Sequence, residues 1–325
     1  VPAVLVSVGC YGTLAETLGA AEGPGYAAEG YAYVITRAVG SREEIADAVF
    51  TRWRADQAAV LDWLGAQPWC NGRVGTHGFS LLSNCAYAAL AASRDKSAPD
   101  TRAQVVALVP AISFSRIQPT VYLWGQGLAA ELALRFLWLA EVGLRPSDGG
   151  GFSLKVAWGT FAFFALAEWP GLLGALAGRP VAAADQAMWG RPNRLWQEGQ
   201  VCREPDSPLW AGGADVQCDL LSLGARCPPI HVIAGWHDMF LRQSLDDFAA
   251  AAQASQGASR LTVFGGGHFG VAFRRAPEVR AAVRAWYAEH LGRAGRAAAG
   301  PRVRLELLGG EPGQEWLGCD AWPPP

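Results

Sequence analysis

The sequence predicts an α/β fold, a mostly parallel sheet covered by helices on both faces. Three observations predict it. Short Val- and Ile-rich runs alternate with longer segments of helical period. Most of the apolar runs close at a Gly, a Pro or a polar turn. The alternation stops near Phe114 and resumes at Ile230, as it would if a second unit were inserted into the α/β domain.

The elements follow in order. Val4–Val8, Ala32–Thr36, Arg73–Phe79, Gln104–Val109, Ile230–Ala234 and Leu261–Phe264 read as strands. Asp56–Leu64 carries an apolar stripe, Leu81–Ser93 is Ala-rich, and Gln243–Ala252 follows a strand, so each reads as a layer helix. Pro277–Leu291 opens with a proline suited to a first helical turn. Between them, Gly127–Val142 and Phe152–Leu166 are apolar and aromatic with helical period, and Trp189, Trp196 and Trp210 stand in irregular sequence, which together read as a helical cap. Past Gly292 an Ala/Gly/Arg-rich stretch reads as a linker, and Arg302–Leu308 then alternates as a single strand. The expected division is a core over 1–113 and 227–291, a cap over 114–226, and a linker with the start of a truncated β domain over 292–325.

Composition narrows the function. With 325 residues, 51% of them hydrophobic and 17% charged, the chain can bury a large core, which excludes disorder as its main state. Its 27 cations and 29 anions leave a net charge of −2 with no long basic run, so nucleic acid is not an expected partner. Only Lys96 and Lys155 are lysines, a bias expected of a GC-rich bacterial genome. The seven cysteines form no CxxC pair, which argues against a zinc site or a disulfide framework. The most apolar stretch, Val156–Ala177, is broken by Glu168 and Pro170, which leaves an uncharged run of 12 residues (156–167), short of the roughly 18 that a membrane span requires. No membrane partner is expected. Val1 opens directly into a strand, without a charged and then apolar leader, so a cytoplasmic location is expected, with secretion left open because a true N-terminus could lie upstream.

The chemistry centres on R-V-G-T-H-G-F-S-L-L (Arg73–Leu82), a strand running straight into Gly-x-Ser and then a helix. In a nucleophile elbow a serine occupies a strained strand-to-helix turn, a glycine two residues earlier permits close backbone approach, and the next N–H helps to bind an oxyanion. Gly78, Ser80 and Leu81 fill these places. Gly151-Phe152-Ser153-Leu154 repeats the four letters, but it follows the loop Asp148-Gly149-Gly150 and no strand, so Ser153 is set aside.

A serine needs a general base held by a carboxylate, and in this fold the order is Ser, acid, His. Of the histidines after Ser80, His231 lies within an apolar strand and His290 near a helix C-terminus, so both read as structural. His268, in F-G-G-G-H-F-G, lies in a Gly-rich loop past a strand's C-terminal end, where α/β sites assemble. Asp238, in A-G-W-H-D-M-F, has the same placement. Asp246 and Asp247 fall in the next helix and read as a solvated face, while His237 adjoins Asp238 on the chain and points away from it.

These residues resemble those of the cocaine esterase and X-Pro dipeptidyl-peptidase group of serine hydrolases. The matching pieces are V-L-V-S-V-G-C-Y-G (Val4–Gly12), E-G-Y-A-Y-V (Glu29–Val34), D-W-L-G-A-Q-P-W-C-N-G-R-V-G (Asp62–Gly75), A-D-Q-A-M-W-G-R-P (Ala184–Pro192), D-S-P-L-W (Asp206–Trp210), A-G-W-H-D-M-F (Ala234–Phe240) and the terminal W-P-P (Trp322–Pro324). The resemblance implies an α/β-hydrolase fold with a helical cap and a C-terminal jelly roll, for which this chain is too short, so the jelly roll is expected to be largely absent. The chain is then either a fragment or a reduced enzyme whose strand at Arg302–Leu308 pairs within the core or with another subunit in a homo-oligomer.

The resemblance further implies Ser80 as nucleophile, Asp238 as acid and His268 as base. It implies Tyr11 as an oxyanion donor beside the N–H of Leu81, and Trp236 and Phe240 as walls of the acyl pocket. The substrate class it implies is a small ester or amide, with no metal or organic cofactor. Ester cleavage is expected over dipeptide release, because Glu131, Glu141 and Glu168 form no cluster for a free amine. The other alternative is a member that has lost hydrolysis and serves as a binding or biosynthetic scaffold. Three positions depart from the pattern: Cys10 where relatives have Pro before Tyr11, Leu81 and Ser83 where they have Tyr and Gly, and Gly265–Gly267 where they have Pro-Trp before the histidine segment.

Overall fold

The structure, a computed structural model, describes residues 1–7, 12–36, 52–123, 127–128, 177, 183–202, 204, 207, 218–292, 300–311 and 314–324. Its strands are β1 (Ala3–Ser7), β2 (Ala32–Thr36), β3 (Arg73–Phe79), β4 (Gln104–Ala111), the short β5 (Tyr122–Leu123) and β6 (Gly127–Leu128), β7 (His231–His237), β8 (Arg260–Gly267), β9 (Val303–Glu306) and β10 (Trp316–Cys319). The helices used below are α1 (Gly12–Ala28), α2 (Trp53–Gly65), α3 (Leu81–Ser93), α4 (Leu241–Ala254) and α5 (Ala276–His290).

Eight strands form one sheet in the order β10-β9-β8-β7-β4-β3-β1-β2. Every neighbouring pair is parallel except β10 on β9. Parallel strands must be covered on both faces, and they are. On one face Leu61 and Leu64 of α2, Tyr87 and Leu90 of α3 and Phe248 and Ala251 of α4 pack on Leu5, Val74, Leu108, Val232 and Val263. On the other, Tyr26 of α1 and Val279, Val283, Trp286 and Tyr287 of α5 pack on Val4, Val109, Ile233 and Phe264. The two sets alternate along β1 (Ala3 and Leu5 against Val4 and Val6) and β7 (Val232 and Ala234 against Ile233), as the two-residue period of a pleated strand dictates.

The strand order reverses at β1 and β3, since β2 lies on one side of β1 while β3 and β4 proceed on the other. Sites in open α/β sheets form outside the carboxyl ends of strands at such a switch. The segments after β3, β7 and β8 therefore converge along one end of the sheet.

Several elements differ from the sequence reading. The strand expected over Arg302–Leu308 forms over Val303–Glu306 and lies parallel to β8, Val263 opposite Leu305, so this stretch extends the main sheet. Gly265–Gly267, read as a loop, are the last residues of β8, and Gly267 is still paired with His237. Gly235 of β7 is needed there, because a Cβ on it would stand 2.6 Å from the carbonyl oxygen of Gly266. At the start of the expected cap helix Gly127–Val142, Gly127 and Leu128 instead pair with Tyr122 and Leu123 as a two-residue hairpin. The remainder of that helix and the segment Phe152–Leu166 lie outside the described residues. Helix α1, with Pro24 inside it, and strand β10 are elements that the pattern of the sequence did not reveal. Among the described residues no helix is long and apolar enough to cross a membrane.

Candidate active site

Ser80 follows β3 directly and is the residue before α3. Its backbone has φ +53° and ψ −129°, a region that L-residues rarely adopt. Strain of this kind persists only where the surroundings enforce it. Here they do so on both sides: the Ser80 N–H donates to the Ala111 carbonyl at 2.8 Å, and its own carbonyl accepts from the Ser83 N–H at 2.9 Å. Ile112, just past β4, is also held at positive φ (+48°), with its N–H on the Ile233 carbonyl at 2.7 Å. The turns after β3 and β4 are thus tied to each other and to β7.

Asp238 lies one residue past β7, with its side chain wholly enclosed. Its Oδ1 accepts the N–H of Phe240 at 2.7 Å, an Asx-type contact that fixes the carboxylate. Its Oδ2 stands 2.6 Å from Nδ1 of His268. His268 opens the helical turn after β8, and its Nε2 lies 2.8 Å from Ser80 Oγ. Three residues far apart in sequence thus form one hydrogen-bonded line, Asp238 to His268 to Ser80. In the tautomer that satisfies both contacts, Nδ1–H donates to the carboxylate and Nε2 accepts from the hydroxyl.

Phe240 stands beside the imidazole, ring centroids 5.4 Å apart and nearly perpendicular, and its other side meets Phe114 at 4.8 Å. It is buried and helps to orient His268. Trp236, expected beside Phe240 in the acyl pocket, follows Gly235 near the end of β7. Its indole N–H donates to the carbonyl of Glu306 at 2.6 Å and its ring packs against the main core. Leu81 is the first residue of α3, where a helix leaves its N–H without an intrahelical acceptor. That donor points past the end of the helix, next to Ser80. Tyr11 lies outside the described residues, as do Glu131, Glu141, Glu168, Trp210 and Ser153.

The remaining histidines have other work. His231 is buried, with Nε2 2.9 Å from Thr262 Oγ1, and burial holds its pKa down to about 3. His290 packs on Trp286 at 4.1 Å, and burial lowers its pKa also. His237 is exposed at the end of β7. His77 lies under the elbow, with Nδ1 2.9 Å from the Tyr287 hydroxyl.

Asp247 is a correction. The solvated-face reading holds for Asp246, but Asp247 is buried and accepts from the Ser115 N–H (2.7 Å), the Ser115 hydroxyl (2.6 Å) and the Tyr87 hydroxyl (2.9 Å). It joins α4 to α3 and to the segment after β4. The aspartates at 246 and 247 are adjacent on a helix, about 100° apart, and only the second faces the sheet.

Comparison with known proteins agrees with this architecture. The X-Pro dipeptidyl-peptidase (S15) family matches residues 1–270. A cocaine esterase from Rhodococcus sp. (strain MB1 Bresler) is 26% identical over 296 residues, covering 83% of this chain and 46% of that protein. Among solved structures, a CocE/NonD family hydrolase from Staphylococcus aureus superposes with a TM-score of 0.57 at 18% identity, covering all of this chain and 51% of that one. An aminopeptidase from the marine sediment archaeon Thaumarchaeota archaeon superposes with a TM-score of 0.63 at 17% identity, covering all of this chain and 55% of that one. The chain spans about half the length of these relatives. The structural likenesses speak to an α/β-hydrolase fold, and with a family match over residues 1–270 the chain belongs to the X-Pro dipeptidyl-peptidase (S15) family.

Proposed function

We propose that the chain is a serine hydrolase that cleaves carboxylic esters, or amides, through an acyl-enzyme. The observation that carries this reading is the line of contacts from Asp238 Oδ2 through His268 to Ser80 Oγ, at 2.6 and 2.8 Å, ending on a strained elbow. In the proposed reaction Ser80 Oγ attacks the carbonyl carbon while His268 Nε2 takes its proton. Asp238 keeps the proton on Nδ1 and stabilises the imidazolium. The N–H of Leu81, with the Tyr11 hydroxyl as partner, binds the tetrahedral oxyanion. His268 then returns the proton to the leaving group, and water repeats the sequence to release the acid.

The test uses a nitrophenyl ester and a fluorophosphonate probe. The native chain turns over the first and is labelled by the second, and the Ser80→Ala variant does neither. Retention of both by that variant removes Ser80 from the reaction. A native chain that is folded but refuses every reactive probe favours a binding or biosynthetic scaffold instead. Dipeptide release from X-Pro peptides is a second reading, supported by the name of the matched family. It requires a recogniser for a free amine, and comparison of X-Pro-nitroanilides with simple esters separates the two.

A further inference from the structure

Glu306 lies on β9, beyond the last residue that the family matches. Its side chain nonetheless reaches the segment that carries His268. One carboxylate oxygen, Oε2, accepts the N–H of Gly265 at 2.8 Å. The other, Oε1, accepts from the guanidinium of Arg275. Gly265 stands three residues before His268 and Arg275 seven after it, so one carboxylate holds both ends of the segment. A third contact fixes the strand itself: the Glu306 carbonyl accepts the Trp236 indole N–H, two residues before Asp238.

We propose that Glu306 is a positioning residue for His268, a clamp without which the imidazole does not keep its place between Asp238 and Ser80. The inference rests on the proposed hydrolase reading. Its physical basis is the sequence of the histidine segment. Gly265, Gly266 and Gly267 have little conformational preference of their own, and Gly266 adopts φ +140°, so the chain before His268 is intrinsically loose. On one edge β8 stays paired with β7 as far as Gly267 opposite His237, but on the β9 edge the ladder ends at Val263 with Leu305. Two residues on, the Glu306 carboxylate takes the Gly265 N–H instead.

The fit is specific at both ends. A Cβ on Gly265 would stand 3.2 Å from Leu308 Cδ2 and 3.3 Å from Glu306 Cδ and Oε1, so a larger residue there would press on the carboxylate. At the other end, Arg275 is shared between Glu306 and Glu278, with its guanidinium 5.8 Å from the Phe264 ring centroid. The guanidinium and the amide both lose by neutralisation of the carboxylate, since hydrogen bonds to an ionised acceptor are the strong ones. A general base has to be held within about half an ångström of its working position for its contacts to be productive. Glu306 supplies that constraint from a part of the chain that contributes no reacting atom.

The decisive variant is Glu306→Gln, which keeps the shape and removes the charge. Its amide can serve one of the two donors but not both. The expected result is a kcat on a nitrophenyl ester at least tenfold lower with KM changed less than twofold, and fluorophosphonate labelling slowed by the same factor, while the melting temperature stays within a few degrees. Unchanged kcat and labelling overturn the inference and leave the hydrolase reading standing.

A second readout does not depend on activity. The proton on His268 Nδ1, shared with Asp238, gives a far-downfield proton resonance that the Asp238→Asn variant identifies by its loss. In Glu306→Gln that resonance is expected to broaden or vanish. If the native chain is neither labelled nor active, the hydrolase reading fails, and this resonance alone decides the clamp: its survival in the variant overturns it. Should Glu306→Gln not fold, Arg275→Met releases only the far end, and a several-fold loss of kcat at unchanged KM is expected of it. Native kcat in that variant overturns the inference.

Discussion

The hydroxyl of Ser83 donates to the carbonyl of Gly78 at 2.6 Å, across the turn that presents Ser80. The same oxygen accepts the N–H of Ala111 at 3.2 Å, so one side chain ties β3 to β4 at the elbow. The resemblance implies a glycine at this position, and the serine that stands here has two partners. Ser83 is fully buried, and removing its hydroxyl strands the Ala111 N–H. Ser83→Ala is expected to lower stability by about 1–3 kcal/mol, the cost of an unpaired buried group. The urea midpoint reads this. The ester kcat of the folded variant should fall a few-fold as the turn relaxes, and a variant as stable and active as the native chain makes the brace incidental.

Gly78 gives a harsher test of the same turn. A Cβ there would lie 2.6 Å from the Leu82 carbonyl carbon, 2.7 Å from its oxygen and 2.7 Å from the Ser83 nitrogen. All three are backbone atoms of the first turn of α3, so no rotamer change relieves the clash. Gly78→Ala is expected to push α3 away from β3, taking the Leu81 N–H with it. Loss of fluorophosphonate labelling by more than 100-fold, or insoluble protein, is the outcome that fits; native labelling shows that the turn can absorb a methyl group.

Asp238→Asn separates orientation from charge. The amide oxygen can keep the Phe240 N–H, but the amide nitrogen faces His268 Nδ1 as a donor, and the proton must move to Nε2. An imidazole in that tautomer cannot accept the Ser80 proton. A drop of roughly 10³–10⁴ in kcat is expected, with KM little changed. Steady-state kinetics on a nitrophenyl ester check this, and a loss of less than tenfold shows that the carboxylate is not needed.

Where residue type and chain position coincide, the sequence pointed to residues that the structure brings within hydrogen-bond distance of one another. Ser80, Asp238 and His268 each follow a strand that hydrophobicity alone locates, and the strand-to-helix context separated Ser80 from the identical four letters at Ser153. Strand ends were less legible. The run Leu261–Phe264 is where β8 is apolar, but the strand continues through Gly265–Gly267, because pairing to β7 persists after the side chains that advertise a strand have gone. Helix α1 was hidden by its glycines and Pro24, which are poor helix formers individually and are outweighed where Tyr26 packs on β2 and α5. Glu306 gave no sign in the sequence, since its partners lie 31 and 41 positions away and only the β8–β9 register brings them together. Asp247 was misread because periodicity places a residue on a face without telling which polar groups wait there.

Asp247 also gives a prediction with a sign that depends on pH. Burial raises its pKa and the hydrogen bonds from Ser115 and Tyr87 lower it; burial wins, and the value is pushed up to about 7. In the unfolded chain an aspartate titrates near 4. The folded state therefore binds this proton more tightly, and the stability it contributes is full below about pH 4 and is lost as the pH rises through about 7. An asparagine cannot ionise. Its carbonyl oxygen can accept the Ser115 N–H and the Tyr87 hydroxyl, and its amide can donate to the Ser115 hydroxyl, which reproduces the contacts of the protonated acid. Asp247→Asn should therefore match the native chain at pH 4 and exceed it by a margin that grows between about pH 4 and 7 and levels off above, as read from urea unfolding at pH 4, 6 and 8. Asp247→Leu, which leaves the Ser115 N–H and both hydroxyls unpaired, should be less stable at every pH. A margin that stays flat across the series means that Asp247 is ionised in the folded protein throughout, with its three donors outweighing its burial.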